Sequence, residues 1–323
     1  MSDTTFLRTI VDAMRSFWDQ RPRSERIAYV AGALLILSGL IHLGILITTD
    51  GSWVGPLSLR KPTTFGVSFG VTLLTVAWVA SFLQLTDRFR TILLGAFTVA
   101  CALETTLVSL QAWRGLPSHF NVETTFAAWV ARMLAAGGFV LVAVIVALTF
   151  VAFRKNPTVP VSLRIAIRVG FIALVGSVVV GAFMIAKGMT LVFAGDTQAA
   201  YSTGGALKPT HAVMMHAILA LPALAWLLSF ANWTEQRRLR AVLLAAAGYI
   251  VSTGAVAVSN VAGIELRQLP PPASGLVAAG ALVWLSIALA AIAGVARAYR
   301  RPHSAAVAAE PGKALGRRAG TPG

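Results

Sequence analysis

Apolar runs of about 20 residues recur along the chain, broken by short polar loops. At ~1.5 Å of rise per residue, each run is long enough to cross a hydrocarbon layer about 30 Å thick as a helix. Eight spans are predicted, over about residues 27–48, 62–84, 91–113, 125–153, 165–193, 209–231, 239–263 and 274–297. The pattern predicts an all-α fold, a polytopic transmembrane helix bundle, because a helix satisfies its own backbone polar groups in lipid. The chain divides into a cytoplasmic segment (1–26), a first four-helix half (27–153), a second four-helix half (154–298) and a cytoplasmic tail (299–323).

Polar and apolar positions also organise the ends. Phe6, Leu7, Ile10, Val11, Met14, Phe17 and Trp18 recur at i, i+3 and i+4, with Arg8, Asp12, Arg15 and Asp19 between them. That periodicity predicts an amphipathic helix, lying on the membrane surface or against a cytoplasmic loop. The first apolar run is too long for the core of a cleavable signal peptide, so none is expected. The tail from 299 is rich in Ala, Pro, Gly and Arg without an apolar period and is predicted to be disordered.

Two spans open alike. Lys61-Pro62-Thr63 starts span 2, and Lys208-Pro209-Thr210 starts span 6. Span 3 begins Leu93-Leu94-Gly95-Ala96, and span 7 begins Leu243-Leu244-Ala245-Ala246. This points to a four-plus-four repeat with both halves running in the same direction.

Composition agrees with the pattern. The chain is 57% hydrophobic and 12% charged, with a net charge of +15. The distribution of that charge matters more than its sum. Arginine and lysine crowd the N-terminal segment, the loops around 88–90, 154–168 and 237–240, and the C-terminal end. The other side holds only Arg60, Lys61, Arg114, Lys208 and Arg267. The richer side is therefore expected to be cytoplasmic, with both termini inside. Topology accounts for the charge without nucleic acid. The bilayer is the expected partner, and a homo-oligomer stays open. The single cysteine, Cys101, makes no disulfide within one chain, and no Cys/His zinc spacing occurs.

The stretches KPTTFGVSFG, LETTLVSLQAWRGLPSHFN and HAVMMH together resemble a family of multi-pass bacterial membrane proteins without an established function. The resemblance covers most of residues 30–265. It implies the helical membrane architecture and a bacterial cytoplasmic-membrane location. It carries over no catalytic residue.

Ionisable groups inside hydrocarbon are costly, so each is a candidate functional residue. His42 lies roughly 22 Å up span 1 from the inside, Glu104 roughly 20 Å up span 3, and His216 roughly 10 Å down span 6 from the outside. The three share one level in the outer half. Gln111 stands seven residues beyond Glu104, on the same helix face. Arg114, His119, Arg132 and Lys187 add polar groups toward the same side, whereas the inner half is almost purely apolar. A polar cavity opening outward is predicted. Thr64, Ser68, Thr72 and Thr75 line one face of span 2, where Gly66 and Gly70 suit close helix packing.

Several chemistries fit these residues. His42, Glu104 and His216 supply two imidazoles and a carboxylate, a set that suits a transition metal. Two histidines from different spans could instead ligate a haem, with Lys187, Arg114 or Arg132 near its propionates. Glu104 suits proton-coupled transport of a small solute. His119, Glu104 and Ser68 could serve an enzyme acting on a lipid-like substrate. In a structural or accessory subunit, Glu104 would simply pair with Lys187 or Arg132. His211 and His216 are five residues apart and point ~140° from each other, so they are poor co-ligands. His211 is expected at the interfacial rim, as part of the ligand-binding group.

Overall fold

A computed structural model describes residues 15–300 apart from 17, 56, 202–204 and 206. Most of the expected amphipathic segment and of the tail lies outside the described residues. Eight long helices are described: α1 (Arg23–Thr48), α2 (Arg60–Ala80), α3 (Asp87–Trp113), α4 (Thr125–Ala152), α5 (Val161–Phe193), α6 (Leu207–Ser229), α7 (Glu235–Val261) and α8 (Pro271–Arg300). All eight are long and apolar enough to cross a bilayer. A single helical turn at Thr197–Ala200 and a 3₁₀ turn at Leu266–Gln268 complete the described elements.

Helix ends follow capping residues rather than the limits of the apolar runs. Thr86, Thr124 and Thr234 each accept a hydrogen bond from the backbone N–H three residues on, which starts α3, α4 and α7. Hence α3 begins at Asp87, several polar residues before its apolar run. Pro22 and Pro160 precede α1 and α5 with nearly the same backbone angles, φ −55°, ψ 149° and φ −52°, ψ 147°.

Small residues bring the helices together. A Cβ on Gly66 would lie 2.7 Å from the Cα of Gly39, and one on Gly70 would lie 2.6 Å from the carbonyl oxygen of Gly32. Thus α1 and α2 touch backbone to backbone, as small-residue stripes allow in lipid. Gly170 lets α5 approach α6 at Ala217 and Ile218, and Gly248 and Gly280 do the same for α7 and α8.

The two halves pack alike, except that α8 also packs on α6. In the first, α1 packs on α2 and α3, α2 on α3, and α3 on α4; in the second, α5 packs on α6 and α7, α6 on α7, and α7 on α8. The halves meet where α4 lies against α5 and α2 against α6, with Trp78 edge-on to Trp226. Further sequence likeness underlies this packing. Pro22-x-Ser24-x-Arg26-Ile27-Ala28 and Gly32 match Pro160-x-Ser162-x-Arg164-Ile165-Ala166 and Gly170. Thr86-Asp87-x-x-Arg90 matches Thr234-Glu235-x-x-Arg238. Both arginines bond carbonyls where the preceding helix ends: Arg90 to Ala80, and Arg238 to Ser229 and Ala231.

One apolar core, including Leu73, Val76, Phe97, Leu148, Phe171 and Leu221, runs through both halves. At the arginine-rich end Glu25, 1% exposed, pairs with Arg90 at 2.6 Å. A smaller cluster of Leu107, Val108, Val130 and Leu134 lies toward the opposite end, where both KPT sequences open their helices.

Candidate functional site

Glu104 projects from α3 and is 4% exposed. Its carboxylate fits into space left by α4: a Cβ on Gly137 would sit 2.8 Å from Oε1. Any larger residue there would displace the acid. No ion pair involves Glu104 among the described residues, so the expected pairing with Lys187 or Arg132 is not found. Both of those cations are exposed on their helices. The backbone of Gly138 in α4 acts on the carboxyl more strongly than the charge of Lys61 at the opening of α2.

Polar groups continue from Glu104 toward the KPT end. Gln111 is fully buried; its Oε1 accepts from Arg114 Nη1 at 2.9 Å, while its Nε2 has no partner. The Thr105 and Ser109 hydroxyls are likewise buried without partners. Unsatisfied buried groups of this kind are costly and call for an explanation. Arg114 also stacks over Phe126, 4.6 Å from the ring centre.

The loop after α3 covers this region. Phe120, at φ 66°, seats its ring on Gly188 of α5. His119 stands edge-on to Phe65 of α2, and its Nδ1 lies 3.0 Å from Ser118 Oγ. Burial, with the nearby Lys61 charge adding to it, holds the His119 imidazolium well below its ordinary pKa. His119 is thus a neutral ring at physiological pH. Beside it, the Tyr201 hydroxyl donates to Glu123 at 3.3 Å. Burial and that carboxylate raise its pKa.

The three other histidines among the described residues separate into different roles. His42 Nδ1 is 2.7 Å from the Ser38 carbonyl oxygen, and His42 Nε2 is 3.0 Å from Trp113 Nε1. An indole N–H can only donate, so Nε2 accepts and Nδ1 carries the proton. Both ring nitrogens are occupied, which leaves no lone pair for a metal. His211 is bonded across to α5. Its Nδ1 lies 2.8 Å from the Ser177 carbonyl oxygen, and Ser177 Oγ donates to the His211 carbonyl at 2.8 Å. It ties α5 to α6. His216 is half-buried and makes no hydrogen bond among the described residues.

His42, Glu104 and His216 are not assembled into a ligand set: among the described residues no three His, Cys, Asp or Glu side chains could hold a metal ion. His42 on α1 and Glu104 on α3 lie in the first half and His216 on α6 in the second, where α2 is the first-half helix that packs on α6.

Sequence reasoning gave Lys61 only as a repeat marker and loop cation, although its place at the opening of a helix that packs on α3 was a usable signal. Asn260 Oδ1 accepts from Thr210 Oγ1 at 2.7 Å and from Thr210 N at 3.2 Å, fixing the start of α6. The fold is that of an all-helical multi-pass membrane protein with a buried acid near one end. Comparisons with known family profiles, with curated proteins and with solved structures find no match.

Proposed function

We propose that the protein is a proton-coupled carrier of a small solute in the bacterial cytoplasmic membrane. Both termini are cytoplasmic and the KPT end faces outward on this reading, which the arginine asymmetry supports. The two halves descend from a duplicated four-helix unit, and the solute binds near their junction, as in other carriers built from parallel repeats. Glu104 exchanges the proton; Gln111, Arg114, His119 and Lys61 form the polar approach to it. The observation that carries this reading is the buried Glu104 carboxyl, accommodated by Gly137 and not consumed by an ion pair. A structural acid would be expected to hold a full partner, as Glu25 does. Metal and haem binding lose support because both nitrogens of His42 are already bonded.

Infrared difference spectroscopy on the reconstituted protein, during a pH titration, tests this role. A protonated-carboxyl band that appears and vanishes reversibly, and is missing in Glu104→Gln, is expected. A spectrum identical in wild type and Glu104→Gln overturns the assignment.

A further inference from the structure

The arginine-rich end carries a pocket that the carrier reading leaves unused. It lies where the chain leaves α2, where α4 ends and where α5 begins. Arg154, Arg164, Asn156 and Gln84 line it, over an apolar floor that includes the buried Val151 and Ile167. Among the described residues no acidic side chain lines it.

Hydrogen bonds hold the pocket in shape. Asn156 Nδ2 donates to the Phe82 carbonyl at 2.9 Å, and Asn156 Oδ1 accepts from Thr158 Oγ1 at 2.7 Å. Arg164 Nη1 donates to the Asn156 carbonyl at 2.8 Å. The loop between α4 and α5 is thereby pinned to the end of α2, with one guanidinium fixed at its edge. The last carbonyls of α4 would turn a negative helix end toward any anion nearby. Arg168 covers them: its Nε donates to the Ala152 carbonyl at 3.0 Å and its Nη2 to that of Phe153 at 3.3 Å.

The lining arginines keep donors in reserve. Arg154 is exposed, and its side chain makes no hydrogen bond or ion pair among the described residues. Nε and Nη2 of Arg164 make none there either. Glu235, the acid that reaches the start of α5, accepts from the Ser162 N–H at 2.8 Å and lies 4.0 Å from Arg238. Two guanidinium groups with open forks suit a phosphate. Apolar surface adjoins them, because Phe153 precedes Arg154 in the chain and both Phe153 and Phe150 are exposed.

We propose that this pocket binds the phosphate of an anionic phospholipid headgroup, held by Arg154 and Arg164, with the acyl chains along Phe150 and Phe153. A basic pocket between membrane helices at the cytoplasmic face is a recurrent headgroup site. A soluble phosphate would make no use of the apolar floor and the exposed rings. The site is independent of the carrier reading, since no residue of α3, which carries Glu104, lines the pocket.

The test is native mass spectrometry of the full chain in detergent, with phosphatidylglycerol or phosphatidylcholine of the same acyl chains added. Retention of phosphatidylglycerol in preference to phosphatidylcholine is expected. Arg154→Gln removes no contact within the chain, so it probes the site without threatening the fold. It and Arg164→Gln should each weaken retention about fivefold. Arg240→Gln, an exposed arginine at the same end outside the pocket, should retain lipid as wild type. Equal retention of the two lipids overturns the proposal, as does wild-type retention in Arg154→Gln. A loss in Arg240→Gln as large as in Arg154→Gln also overturns it, because diffuse surface charge would then suffice. Inorganic phosphate is titrated by calorimetry in phosphatidylcholine nanodiscs to separate the sources. Saturable phosphate binding that Arg154→Gln abolishes, without retention of phosphatidylglycerol, overturns the lipid assignment.

Discussion

At the scale of the residue, burial alone does not mark function; the state of each polar atom does. His42 and Glu104 are both buried, yet both ring nitrogens of His42 are bonded while Glu104 makes no ion pair among the described residues. Trp113→Phe removes the donor to His42 Nε2. It should lower thermal stability in detergent by about 0.5–1.5 kcal/mol, the worth of one hydrogen bond, without changing solute binding. His119 makes a pH prediction. Its folded-state pKa lies well below the ordinary value of 6.5. Below about pH 6.5 the unfolded chain therefore binds a proton that the folded chain does not, so stability falls as pH falls and is regained above that range. The drop in unfolding midpoint between pH 7.5 and 5.5 should be smaller in His119→Gln. Residue count gives a relative height along each span but not the face that a neighbouring helix covers, so a set such as His42, Glu104 and His216 is not readable from height alone.

Single contacts between elements decide how the bundle closes. Gly66 and Gly70 permit the backbone approach of α2 to α1. Gly66→Val should destabilise the protein by several kcal/mol, since the new atoms meet backbone rather than a movable side chain. Gly95→Ala, with nothing within 4 Å of the new Cβ, should leave the unfolding midpoint unchanged or slightly higher. Removing Arg90 leaves the buried Glu25 with only its longer contact to Arg21, at 3.4 Å. Arg90→Ala should cost about 3–5 kcal/mol, and more than Glu25→Gln combined with Arg90→Gln. Spans were visible as apolar runs, but their ends were set by Thr86, Thr124 and Thr234, whose capping bonds a hydropathy pattern does not register.

The whole molecule is two similarly packed four-helix halves with an apolar core through both and polar groups gathered toward the KPT end. The KPT openings suggest a repeat. The stronger match between Pro22–Gly32 and Pro160–Gly170 escaped because loops of unequal length shift the offset between halves along the chain. On the carrier account, proton and solute meet at Glu104 from the KPT side. The most direct measurement is labelling of Glu104 by a membrane-impermeant carbodiimide in proteoliposomes of sorted orientation, read by peptide mass. Modification of Glu104 only when reagent is added on the side of the α2 and α6 openings is predicted. Modification from the arginine-rich side, or none from either side while the protein remains folded, would contradict the account.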